Sequence, residues 1–159
     1  MINIHIITLG KLKETYWREA ETEYLKRLGP YAKIQIHELR EESFTEKDQL
    51  EIIKQKEAKK INEALQKIKP DFIFVLDEHG TQFSSKEFAE KINNLTNQQF
   101  NNLVFIIGGP LGLEETILKM ANLKISFSKM TFTHQMIRIF LLEQIYRAEM
   151  ILNNRKYHY

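Results

Sequence analysis

The chain contains no cysteine. A disulfide framework and a thiolate metal site are therefore excluded. No uninterrupted apolar run approaches the roughly 20 residues that a membrane-spanning helix needs. The start, Met1-Ile-Asn-Ile-His-Ile-Ile7, lacks the basic opening and long apolar core of a secretory signal. The expected location is cytoplasmic, with no membrane partner. Familiar nucleotide-handling motifs are missing as well. No Gly-x-x-x-x-Gly-Lys-Ser/Thr occurs, which argues against a P-loop nucleotidase. The first strand runs into Leu9-Gly-Lys-Leu-Lys13, with one glycine where a Rossmann loop needs three. The five histidines, at 5, 37, 79, 134 and 158, lack metal-ligand spacing, and no Gly-x-Ser-x-Gly elbow is present. No metal is expected.

Glycine and proline are scarce, at six and three residues, so their placement is informative. Three of the glycines fall within Gly108-Gly-Pro-Leu-Gly112, directly after the apolar run Leu103 to Ile107. Such a segment lets backbone groups approach a ligand closely. A tight turn between strand and helix would use the same residues. The position, at the carboxyl end of an inner strand, is where open α/β sheets bind ligands.

At 159 residues the chain suits one domain, taken as 1–159. Strands are predicted at Ile2–Thr8, Lys33–Leu39, Phe72–Leu76, Leu103–Ile107 and Lys124–Ser128. Helices are predicted at Thr15–Leu28, closed by Gly29-Pro30, and at Glu46–Ile68, with an apolar stripe through Leu50, Ile53, Ile61, Leu65 and Ile68. A third follows the capping-box pattern Ser84-Ser-Lys-Glu87 to about Asn97. The last two are Glu114–Ala121 and His134–Asn153, the latter with Thr133 as its N-cap. Strands and helices alternate, and the inner strands are apolar without alternation. Both features indicate an α/β fold with a mainly parallel sheet flanked by helices.

The last helix is apolar most of the way round, which suggests packing on its own domain and on a second copy of the chain. Residues 124–159 carry six Lys/Arg against two Asp/Glu, while the other residues carry 17 against 19. A basic helix end would account for this, as would a cationic face for RNA. The tail Asn153-Asn-Arg-Lys-Tyr-His-Tyr159 combines bases with rings, the pairing that single-stranded RNA binding uses. Read as a terminus beyond the helix, it is expected to contribute little to folding. Alone, His134 reads as a capped or core histidine, and Arg147 as the i,i+4 partner of Glu143.

Together these segments resemble the SPOUT-class methyltransferases. Within that class they resemble the bacterial family that methylates N3 of a pseudouridine in helix 69 of 23S rRNA. The elements that carry the likeness are Leu76-Asp-Glu-His-Gly80, Ile106-Ile-Gly-Gly-Pro-Leu-Gly112, Ser128-Lys-Met-Thr-Phe-Thr-His-Gln-Met-Ile-Arg138, Glu143-Gln-Ile-Tyr-Arg-Ala148 and Tyr157-His158. The likeness spans the chain and departs from the family pattern at Tyr159. It implies a C-terminal trefoil knot, a homodimer, and S-adenosyl-L-methionine bound at Leu76, Gly108 and the stretch Phe127, Ser128, Lys129, Met130, Thr131 and Phe132. The reaction it implies removes an imide proton. His134 and His158 are candidate bases, and Arg138 and Arg147 candidates for stabilising the imidate or holding phosphate. Tyr157 is a candidate for stacking on a base. Competing readings are a SPOUT enzyme acting on tRNA or a ribose hydroxyl, and a non-catalytic RNA-binding or nucleotide-sensing module. The lack of an appended RNA-binding domain favours a preassembled substrate, the ribosome.

Overall fold

The computed structural model describes residues 1–157. Its elements are β1 (Ile2–Leu9), α1 (Thr15–Leu28), β2 (Ala32–Leu39), α2 (Leu50–Ile68), β3 (Phe72–Gln82), α3 (Ser85–Asn97), β4 (Asn102–Ile107), α4 (Glu115–Met120), β5 (Leu123–Ser126) and α5 (His134–Leu152). The strands form one sheet in the order β2-β1-β4-β3-β5, with every neighbouring pair parallel. All strand carboxyl ends therefore open on the same edge.

Strand alternation divides the core in two. Ile4, Ile6, Phe74, Leu103 and Phe105 point to one face, where α1, α3 and α5 cover them. Ile7, Leu9, Val75, Val104 and Ile106 point to the other, under α2 and α4. Phe74 and Phe105 stack at 4.5 Å at the centre of the first face. Burying each such side chain stabilises the fold by about 1.5–3 kcal/mol. Two covered faces explain why the inner strands read as unbroken apolar runs.

Local chemistry sets most helix boundaries. Ser84 and Glu87 form a reciprocal capping box at α3, with Ser84 N–H donating to Glu87 Oε2 at 2.7 Å and Glu87 N–H to Ser84 Oγ at 3.2 Å. Thr133 caps α5 by accepting the Met136 N–H. The second helix starts later than the apolar pattern predicts, at Leu50 rather than Glu46. Asp48 accounts for the delay: its carboxylate accepts both the N–H and the hydroxyl of Thr45, closing a turn that competes with the helix.

The third strand is longer than predicted and interrupted. Leu76 and Thr81 both lie opposite Ile125 of β5, so Asp77 to Gly80 form an excursion between two pairings with the same residue. Gly80 is required for closeness. A Cβ there would lie 2.7 Å from the backbone of Lys124 and Ile125.

α5 lies between α1 and α3 and packs on both. None of its residues is exposed even in the single chain, because these neighbours cover its apolar flanks. Its first turn is pinned by charge. Arg138 is 3% exposed, its Nε donating to Glu21 of α1 and its Nη1 to Glu38 of β2 at 2.9 Å.

Two stability outcomes follow from these contacts. Gly80→Ala forces β3 away from β5 and is expected to cost about 1–3 kcal/mol in urea unfolding. Arg138→Met strands two partly buried carboxylates and is expected to cost about 3–5 kcal/mol by the same measurement. Unchanged stability would instead show that these ion pairs do not hold α5 in place.

Candidate functional site

The carboxyl ends of β3, β4 and β5 enclose a cleft of about 820 Å³. One wall is the Gly108–Gly112 turn after β4. Opposite it runs the loop from Phe127 to Phe132, between β5 and α5, and the Asp77–His79 excursion closes a third side. The turn is closed by Gly112 N–H donating to Gly109 C=O at 3.0 Å. The loop after β5 is shaped by hydroxyls: Ser126 Oγ donates to Ser128 C=O at 2.8 Å, and Ser128 Oγ accepts the Met130 N–H at 3.0 Å. Its apolar tips face outward, with Met130 76% exposed and Phe132 39% exposed.

Leu76, Gly108, Phe127, Ser128, Met130, Thr131, Phe132 and His134 all line this cleft; Lys129, within the same loop, does not. The glycines of this turn do not all serve alike. A Cβ on Gly108 would lie 3.0 Å from Leu113 Cγ, so that glycine lets the turn pack on itself. Gly112 is the open position. It has φ +75°, lines the cleft, and a Cβ there would meet nothing within 4 Å. Lys54, Asp77 and Glu78 add charges of both signs to the lining.

Arg138, Arg147 and Tyr157 do not line the cleft, and His158 lies outside the described residues. Arg138 is consumed by its ion pairs beneath α5. Arg147 donates to Glu143 through Nη2 at 2.6 Å and Nε at 3.0 Å. It also lies over the Tyr157 ring at 4.9 Å. Glu143 lines a neighbouring aromatic pocket of about 290 Å³ together with Phe83, Phe88 and Phe140. Phe127 and Phe132 border both cavities, so the loop after β5 is the partition between them.

Residues 153–157 fold back on α5. Arg155 N–H donates to Met150 C=O at 2.8 Å, and the Tyr157 hydroxyl donates to Glu143 Oε1 at 3.2 Å. The Tyr157 ring meets Tyr146 edge-on at 4.9 Å. Burial, reinforced by the Glu143 charge, pushes the Tyr157 phenol up to about 12. Arg27 adds a further cation over Tyr24 and Tyr146.

Sequence reasoning missed one corner beside the site, behind His134. Glu41, in the loop after β2, approaches Gly10 together with His134. A lone glutamate in a charged loop carries no signal of that convergence. Burial holds the His134 imidazole below its ordinary value, against the upward pull of Glu41.

Because Tyr157 is packed, Tyr157→Ala is expected to cost about 1–2 kcal/mol of stability. Tyr157→Phe, which keeps the ring contacts, is expected to cost less. Urea denaturation of both variants checks the order, and equal stability to wild type in both would mean the tail is free of the fold.

Residues 2–158 match the family described as predicted SPOUT methyltransferase. The sequence is 48% identical over 162 residues to the ribosomal RNA large subunit methyltransferase H of Clostridium beijerinckii, and 49% identical over 162 residues to that of Clostridium botulinum. In both cases 99% of each chain is covered. Two solved structures share the fold. A probable methylase family protein from Haemophilus influenzae aligns with a TM-score of 0.60 at 14% identity, covering 98% of this chain and 70% of that one. A probable methyltransferase from Bordetella pertussis aligns with a TM-score of 0.54 at 10% identity, covering 92% and 95%. With a family match over nearly its whole length and close relatives of the same extent, the chain belongs to the SPOUT methyltransferase family.

Proposed function

We infer that the protein methylates N3 of a pseudouridine in helix 69 of 23S rRNA, on the assembled ribosome, with S-adenosyl-L-methionine as methyl donor. The observation that carries this is the joining of the glycine turn and the Phe127–Phe132 loop into one cleft at the carboxyl edge of the sheet, with a histidine on its wall. The relatives named for ribosomal RNA methylation supply the substrate class. Residues 1–159 act as a single domain in the cytoplasm, with the C-terminal trefoil knot implied by the family resemblance.

The cleft fits the donor on three counts. Its volume, about 820 Å³, lies within the roughly 300–1,000 Å³ of ordinary cofactor sites. Gly112 leaves open the space a side chain would fill. Charges of both signs in the lining suit a molecule with a cationic sulfonium, an ammonium and a carboxylate. Leu76, Gly108 and the stretch from Phe127 to Phe132, Lys129 included, are the residues assigned to hold it. When bound, it supplies an electrophilic methyl group and needs no metal.

The chain's own residues must orient the target base and take its imide proton. Of the two candidate bases, His134 and His158, His134 lines the cleft and is the one assigned to this step. Burial disfavours its charged form, which favours the neutral imidazole that can accept a proton. Arg147, Tyr157 and His158 are assigned to the RNA side of the reaction. Since Arg147 and Tyr157 stand outside their own chain's cleft, a homodimer whose second copy completes the site accounts for their participation.

The test is tritiated methyl transfer to 70S ribosomes, isolated large subunits, ribosomes carrying unmodified uridine in helix 69, and bulk tRNA. Label only in pseudouridine-containing 23S rRNA is expected. Label in tRNA or on ribose would replace this reading with another SPOUT activity, and no label would leave an RNA-binding module. For the cofactor, Gly112→Asn keeps a residue tolerant of the left-handed backbone while projecting a side chain into open space. Calorimetry is expected to show S-adenosyl-L-methionine affinity reduced by about tenfold or more, or about 1.4 kcal/mol, at unchanged melting temperature. Unchanged affinity would place the donor elsewhere.

A further inference from the structure

The corner where Gly10, Glu41 and His134 meet joins three distant parts of the chain. Gly10 ends β1 with φ +88°. A Cβ built on it would lie 3.2 Å from Glu41 Oε2 and 3.4 Å from His134 Nε2. The carboxylate and the imidazole thus converge on space that only glycine leaves free. Other contacts hold the corner together. Gln135 Oε1 accepts the Lys13 N–H at 2.8 Å, and Lys13 Nζ lies 3.9 Å from Glu41 Oε1. One turn further along α5, Arg138 is fixed to β2 and α1.

The two ring nitrogens of His134 are not equivalent. Nε2 is buried with no hydrogen-bond partner, and it is the nitrogen turned toward the Gly10–Glu41 corner. With Nε2 turned to that corner, Nδ1 is the nitrogen available for the proton transfer, and His134 lines the cleft. A histidine serving as a base is helped by a group of opposite charge near it once it becomes imidazolium.

We propose that Glu41 is a positioning residue for methyl transfer, its carboxylate standing on the Nε2 side of His134, across the gap at Gly10, as the counter-charge for the imidazolium that forms when Nδ1 takes the imide proton. The proposal rests on the rRNA methyltransferase reading. In the step it describes, the N3–H bond breaks and the proton passes to Nδ1. The electron pair left on N3 forms the bond to the incoming methyl, and the electrons of the broken sulfur–methyl bond stay on sulfur. The proton then leaves Nδ1 to solvent.

The charges that act on His134 come from three directions. Glu41 raises its affinity for a proton; Lys13, from the loop after β1, and Arg138, from α5 itself, lower it together with burial. The positive end of the α5 dipole acts in the same direction as the two bases. Removing Glu41's charge must therefore move the His134 titration to lower pH. Removing Lys13's charge must move it to higher pH, and by less, since that side chain is 67% exposed.

The experiment follows the His134 ring by NMR titration of the protein without added ligand. Alongside it, the pH dependence of kcat/KM on ribosomes and the S-adenosyl-L-methionine affinity are measured. Glu41→Gln is expected to lower the titration midpoint by about half a unit or more, move the ascending limb of kcat/KM with it, and reduce the plateau rate several-fold. Lys13→Met is expected to move both midpoints the opposite way, and Glu41→Asp to restore the wild-type titration. Cofactor affinity stays at the wild-type level throughout. If Glu41→Gln changes melting temperature or KM and leaves both midpoints in place, Glu41 is merely structural and the proposal falls. If the NMR midpoint moves and the rate limb does not, His134 is not the proton acceptor and the proposal falls as well. Wild-type protein that methylates no rRNA overturns the functional reading and the catalytic half of this one, while the NMR arm still decides the electrostatic coupling between Glu41 and His134.

Discussion

The molecule is organised by a sheet that must be kept dry on both faces. Ile4, Ile6 and Phe105 on one side and Ile7, Val104 and Ile106 on the other have no access to solvent. Each strand therefore needs helical cover twice, which a parallel sheet with crossover helices supplies. Parallel order in turn sends every strand's carboxyl end to one edge. The glycine turn after β4, the excursion within β3 and the loop after β5 are neighbours for that reason. They lie far apart in sequence and need no attraction for one another. The cleft is a geometric by-product of covering the sheet, and its chemistry is added by the loops.

α5 serves both the core and the site. Leu141, Leu142 and Ile145 close the first core, so its axis is set by packing. One turn in from its start it is held by charge instead, through Arg138 reaching Glu21 and Glu38. Together these leave His134 little freedom to rotate about the helix axis or slide along it. A base carried on a mobile loop would lose much of its orientation advantage. Here it stands at the start of a helix held at both levels.

What could be read from the sequence depended on whether the deciding interaction was local. The Gly29-Pro30 stop, the Ser84–Glu87 box and the Thr133 cap each act within a turn; α1 ends, and α3 and α5 begin, where those residues indicate. The late start of α2 and the extension of β3 depend on a carboxylate closing a turn and on a long-range pairing with β5, which periodicity does not encode. The site divides the same way. Leu76, Gly108 and most of Phe127 to Phe132 were legible as loops at strand ends and as a family pattern. Arg138 looked equally functional in sequence, yet its partners lie 117 and 100 residues away, and only the fold reveals that they engage it. Glu41 had no pattern at all, because its meaning comes from Gly10 and His134, residues on other elements.

The double pairing at Ile125 has a further consequence for how this region can vary. Leu76 and Thr81 must both arrive opposite the same residue, so the number of residues between them is set by the sheet rather than by the loop. Substitutions among Asp77, Glu78 and His79 leave that count intact. Inserting or deleting a single residue would turn every later side chain of β3 to the opposite face, carrying Phe83 away from the core against which it packs. The segment is thus free to change its chemistry and not its length. The wall of the cleft that it forms can be retuned for ligand by point substitution alone.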